Sequence, residues 1–165
     1  MLGNRFIAYN STDPTTAVLA GITSGTAIET MLQVQAPADK EIYVVEWGIS
    51  FDADSGGAVC ELINSKAVAA SGLTAHDTGS VMPYDGRSQL SNVQMGTGAT
   101  GFSDGVVTEG TLASPLMWDV QTINYQYVKQ YQLGIMPVLD AAQLMRIRIH
   151  SVNDVQCRCY IVWSE

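Results

Sequence analysis

Apolar and polar side chains alternate with period two along much of this chain. In Glu41 to Phe51 the odd positions Tyr43, Val45, Trp47, Ile49 and Phe51 are apolar, while the even ones pass from Ile42 and Val44 to Glu46, Gly48 and Ser50. That pattern predicts a strand with its odd face buried throughout and its even face buried only near the start. Near the C-terminal end, Met145, Ile147 and Ile149 alternate with Arg146, Arg148 and His150. After Ser151 to Asp154, the positions Val155, Cys157, Cys159, Ile161 and Trp163 alternate with Gln156, Arg158, Tyr160 and Val162. The expectation is a closing hairpin that points Arg146, Arg148 and His150 toward solvent or an interface.

Further strands are predicted over Arg5 to Tyr9, Ile28 to Gln35, Ala58 to Ile63 and Ile123 to Leu133, where Tyr125, Tyr127 and Tyr131 alternate with amides. Turn chemistry at Pro37-Ala38-Asp39, Asp54-Ser55-Gly56-Gly57 and Asp140-Ala141-Ala142 separates them. The stretch 64–119 is rich in Gly, Ser and Thr. A structureless loop of that length is unusual, so short strands are expected at Val93 to Met95, Val106 to Thr108 and Leu116 to Val120. A binding surface on the chain is first sought in this excursion. No segment carries a capped 3.6-residue apolar stripe, so no long helix is expected. The prediction is an all-β chain: one two-sheet antiparallel β-sandwich over 1–165, jelly-roll-like, with an extended N-terminal arm over 1–26.

Composition narrows the function classes. The chain has 165 residues, enough for one core. Charged residues make up 15% against 47% hydrophobic ones, which leaves a surface of Ser, Thr, Gln, Asn and Gly suited to protein contacts. Sixteen acids against eight bases give a net charge of -8, the wrong sign for a phosphate backbone. No nucleic-acid partner is expected. The N-terminal residues begin no apolar run of signal or membrane-span length, so synthesis in a cytoplasm without a membrane partner is expected. Cys60, Cys157 and Cys159 have no zinc-ribbon spacing, and two cysteines on one strand face are poorly placed for a disulfide, so reduced core thiols are expected.

The candidate chemistry is sparse. Gly101-Phe102-Ser103-Asp104-Gly105 fits G-x-S-x-G, with Asp119, Asp140 and His150 following in the chain order of an α/β-hydrolase triad. The strand-to-helix elbow that such a serine needs is missing from the pattern, and no catalytic residue is expected. His76, beside Asp77 in a polar loop, and His150 are expected as surface or satisfied residues. Asp52-x-Asp54-x-Gly56 opens like a calcium loop, but Ile63 stands where the twelfth-position acid belongs, so an acidic hairpin turn is expected and no metal or cofactor. The tyrosines Tyr125, Tyr127 and Tyr131 suit core packing, a subunit interface or a platform for sugar rings.

Several segments together resemble a group of small virion proteins of tailed bacteriophages. In the first half these are Gln35-Ala36-Pro37, Trp47-Gly48-Ile49-Ser50-Phe51 and Val59-Cys60-Glu61-Leu62. In the second half they are Gln126-Tyr127, Leu133-Gly134, Pro137-Val138, Leu144 to Ile149 and Tyr160-Ile161-Val162-Trp163-Ser164-Glu165. The resemblance implies a jelly-roll-like head decoration or cement protein on the capsid exterior, often trimeric, that binds the major capsid protein. The alternative expectation is a carbohydrate- or receptor-binding module of a phage tail or fibre.

Overall fold

The computed structural model describes residues 3–11 and 18–165, and every helix or strand among them is a β-strand. In chain order these are β1 (Arg5–Tyr9), β2 (Ile22–Thr23), β3 (Glu29–Gln35), β4 (Ile42–Phe51), β5 (Ala58–Lys66), β6 (Thr74–Ala75) and β7 (Val81–Pro83). They continue with β8 (Gly101–Phe102), β9 (Leu116–Ile123), β10 (Gln126–Gln130), β11 (Val138–Leu139), β12 (Leu144–His150) and β13 (Gln156–Ser164). One antiparallel sheet runs β10-β4-β13-β1-β7, with β2 beside β13 and β11 beside β4. The other runs β6-β8-β3-β12-β5-β9.

The strands of five or more residues are β1, β3, β4, β5, β9, β10, β12 and β13. Counted in chain order, the first, eighth, third and sixth of these adjoin in one sheet and the second, seventh, fourth and fifth in the other. That order is the jelly roll. It corrects two sequence expectations. Strand β12 pairs β3 and β5, whereas β13 pairs β1, β2 and β4, so 151–154 crosses between sheets and closes no hairpin. The acidic turn after β4 likewise crosses to β5 in the opposite sheet. Turn residues reverse a chain equally well in both cases; which strand lies alongside is set by long-range packing.

The core fills the space between the sheets with Phe6, Trp47, Leu62, Ile147, Ile161 and Trp163 among its fully buried side chains. Each such side chain contributes about 1.5–3 kcal/mol. The inward faces predicted for β12 (Met145, Ile147, Ile149) and β13 (Val155 to Trp163) are buried throughout. Strand β4 differs. Its core side chains are Ile42 and Val44 at the start, then Trp47, Ile49 and Phe51, so the inward phase switches between Val44 and Trp47. The register against β13 shifts there, Glu46 facing Val162 and Val44 facing Trp163, which leaves Val45 as the extra residue of a β-bulge. A bulge lets both apolar halves of the strand face one core.

Ser55 joins three chain reversals at one end of the sandwich. Its hydroxyl donates to Ile123 O at 2.6 Å, its N–H donates to Asn124 O at 3.2 Å, and its carbonyl accepts from the Ser151 hydroxyl at 3.1 Å. The N-terminal segment expected as an arm includes residues 1–2 and 12–17, which lie outside the described residues. The rest is tied to the sandwich: β1 sits between β13 and β7 with Phe6 and Ala8 in the core, and β2 pairs β13.

The Gly-rich excursion between β5 and β9 serves both sheets on one side. It supplies β7 at the margin of the first sheet and β8 and β6 at the margin of the second. Of the three strands expected within it, Leu116 to Val120 falls in β9. Val93 to Met95 and Val106 to Thr108 are not strands but form single bridges, at Gln94, Met95 and Thr108. Edge pairing by β6, β7 and β8 shields strand margins that would otherwise be open.

Candidate interaction surface

The residues singled out for chemistry are dispersed. Ser103 is fully buried, its hydroxyl donating to Glu29 Oε1 and accepting from the Gly105 N–H at 3.0 Å. His150 is exposed at the end of β12, Asp119 accepts from Trp47 and Tyr127, and Asp140 accepts from Gln143. Ser103 thus has a carboxylate neighbour, but it is none of the acids in the triad order. His76 is buried against Phe102, ring centroids 5.0 Å apart, and its Nε2 donates to Tyr9 O at 2.8 Å. It is a buried histidine that pins the loop of 76–80 to the end of β1. Asp52 and Asp54 accept from the Gln156 and Gly56 N–H groups, so the calcium-like turn uses its acids on the backbone. No group of three or more His, Cys, Asp or Glu among the described residues is placed to hold a metal. Cys60, Cys157 and Cys159 are free and buried.

Arg146 departs from the solvent or interface face expected on β12, while His150 on that face is exposed. Arg146 is fully buried: Nε donates to the Ser65 hydroxyl at 3.0 Å, Nη1 to Glu109 O at 2.9 Å and Oε2 at 3.1 Å, and Nη2 to Val68 O. Glu109 also accepts from the Thr30 N–H and hydroxyl. Gln33, beside Arg146 in the register, is equally buried, donating to Ala99 O at 2.6 Å and accepting from Ala70 N at 2.9 Å. The excursion therefore lies across the outward face of the second sheet, where the polar side chains bind its backbone. Burying a guanidinium requires this full set of acceptors.

On the opposite side of the sandwich nothing comparable among the described residues covers the sheets. Among the described residues β9 pairs only β5, and β10 pairs only β4. The two strands are joined by the reversal at Asn124 and Tyr125, which splits the single strand expected over Ile123 to Leu133. The tyrosine ladder is broken with it: Tyr125 is exposed in the turn, while Tyr127 and Tyr131 pack against the core. Asp119 on β9 points across to the other sheet, its Oδ2 accepting from Trp47 Nε1 at 3.2 Å and from the Tyr127 hydroxyl at 2.9 Å. Burial and the Asp119 contact push the Tyr127 hydroxyl up to about 12. An inward charge and a bulge at Trp118, where the β5 register slips, blunt this edge against open-ended strand addition.

Its side chains are another matter. Among the described residues, eight of the fourteen exposed large apolar ones fall within 116–138: Leu116, Met117, Val120, Tyr125, Val128, Leu133, Ile135 and Val138. In that span the only charged residues are Asp119, turned inward, and Lys129. Leu133 and Ile135, each 70% exposed, flank Gly134 at the tip of the turn after β10, a place where polar residues usually sit. Sequence reasoning ended a strand at Leu133 and assigned no element to Gly134 and Ile135, and so missed this turn. The signal it held was two large aliphatics around a glycine with no polar turn former. No family model matches the chain, and no curated protein does.

Proposed function

We propose that this chain is a non-enzymatic structural protein of a bacteriophage virion, a capsid decoration protein that binds the major capsid protein and associates with copies of itself through the β9–β10 side. The observation that carries the reading is the asymmetry of the sandwich. One side has its sheet margins covered by the excursion, and the other exposes a concentrated, nearly uncharged set of apolar side chains. Patches of that kind serve association.

A second copy is the favoured occupant of this side. Chains carrying a net charge of -8 repel one another, so copies approach best through a region with few charges, and 116–138 is such a region. Repetition by symmetry then lets modest contacts hold an assembly on a shell through avidity. The bulge and the inward Asp119 favour side-chain packing over strand addition, and with it a closed oligomer such as a trimer.

Native mass measurement of the full chain tests the self-association. An oligomer is expected for the wild type and a monomer for the double variant Leu133→Ser, Ile135→Ser with an unchanged β spectrum. A monomeric wild type, or a variant that stays oligomeric, would overturn the assignment of this side. Imaging phage heads with and without the chain tests the virion role; density added on the capsid exterior is expected, and its absence would sink the decoration reading.

A further inference from the structure

The outward face of the first sheet carries a second built feature. The register sets Tyr9 beside Tyr160, Tyr160 beside Gly48 and Gly48 beside Val128; in the next row Arg158 faces Ser50 and Ser50 faces Gln126. Neighbouring positions on the same strands, Ala8, Ile161, Trp47 and Ile49, fill the core, so these rows point away from it.

Tyr160 is fixed there from three directions. A Cβ on Gly48 would come within 2.5 Å of Tyr160 Cε1 and 2.8 Å of Cζ, so the ring lies directly over the glycine. The Tyr160 hydroxyl donates to Glu46 Oε1, while Glu46 Oε2 accepts from Gln130 Nε2 at 2.6 Å. The Tyr9 ring leans against it with centroids 5.7 Å apart and planes inclined by 48°. The result is a preset aromatic surface rather than a swinging side chain.

Beside that ring opens a cleft of about 310 Å³, lined by Tyr9, Tyr160, Leu19, Arg158, Ser50 and Gln126 among others. Its outer wall is tied down, since Arg158 Nε donates to Leu19 O at 3.0 Å. A sugar ring has an apolar C–H face that stacks on an aromatic ring and hydroxyls at its rim that need donors and acceptors. A small cleft combining a fixed tyrosine with amide, hydroxyl and guanidinium side chains matches both demands. The net charge of -8 and the Glu46 carboxylate under Tyr160 disfavour acidic sugars.

We propose that this cleft binds one ring of a neutral saccharide, stacked on Tyr160 and hydrogen-bonded by Ser50, Gln126 and Arg158. The site takes Gln126 and Val128 from β10, the strand at the proposed interface, but includes neither Tyr125 nor Tyr131 and does not rest on the decoration reading. Gly48 is the positioning residue, because it alone admits the ring to its place.

Saturation-transfer NMR of the full chain with methyl glucoside, methyl galactoside, methyl mannoside and N-acetylglucosamine tests the proposal. At least one of these is expected to receive saturation from the wild-type protein. Gly48→Ala keeps an ordinary strand backbone and the whole core while displacing the ring, so it should weaken binding by about tenfold or more with the folded β spectrum retained. Arg158→Gln, an exposed substitution, should weaken binding without unfolding. Failure of all four sugars to bind the wild type would overturn the proposal, as would binding that is unchanged in both variants.

Discussion

The guanidinium of Arg146 on β12 lies 3.1 Å from the carboxylate of Glu109, a residue near the end of the long excursion. Arg146 has no exposure, and Glu109 keeps a side-chain exposure of 18%. Through this pair, the excursion that pairs the far margins of both sheets is also held flat on the second one. Removing one partner strands the other in a poorly hydrated site.

Glu109→Gln is therefore expected to lower the unfolding free energy by about 3 kcal/mol, because the buried guanidinium loses its compensating charge. Urea melts would measure this. Limited proteolysis should then cleave the variant within 67–115 while the sheets survive, and resistance equal to the wild type would show that the excursion is held by other means.

Glu165 predicts a loss of stability in acid. Burial pushes its carboxyl up, but bonds from the Ser91 hydroxyl, the Asn92 N–H and side-chain amide, and Trp163 Nε1 outweigh burial and leave it below the usual value of 4.5. A depressed carboxyl contributes stability above 4.5 and loses it as pH falls through the folded-state value. Glu165→Gln should be less stable than the wild type by about 1–3 kcal/mol at neutral pH. The gap should close in melts below pH 4.5.

Glu29 predicts the opposite sign. Burial raises its carboxyl above 4.5, the Ser103 hydroxyl draws it back, and Glu109 and Asp104 push it further up. The folded chain then holds this proton more tightly than the unfolded chain. The penalty is absent below 4.5 and grows as pH rises through the raised value. Glu29→Gln, which still accepts from Ser103, should raise the thermal midpoint at pH 7. The gain should vanish below pH 4.5, and a gain independent of pH would refute the assignment.

The cysteines should be silent in the native state. Burial pushes the Cys60 thiol up to about 12 and that of Cys159 well above its ordinary range, and thiolate is the reactive form. A thiol-disulfide dye should label less than one equivalent of native protein and all three cysteines in urea. Rapid labelling of the native chain would contradict their burial.

Much of the fold was legible because alternation is a local property. Met145, Ile147 and Ile149, and Val155 through Trp163, show their inward faces in the order of their side chains, and the scarcity of helical stripes decided the all-β class. The candidate surface was less legible. Leu133 reads as the last residue of a strand until the reversal at Asn124 and Tyr125 and the turn at Gly134 are known, and nothing in the local pattern marks Ile135 as its exposed partner. Arg146 reads as an outward residue, which is correct for its direction and wrong for its surroundings.

The sequence by itself determined that this chain makes short strands, where most of them lie, and which faces of the last two are apolar, since each of these depends on neighbours two residues away. Tertiary structure alone decided that the turns at 52–57 and 151–154 cross between sheets, that Val45 bulges to switch the inward face of β4, and that Arg146 is covered while 116–138 is not. The reason is that strand partnership and burial are fixed by contacts between residues far apart in the chain, such as Arg5 with Ser164, whose energies leave no periodic mark on the local sequence.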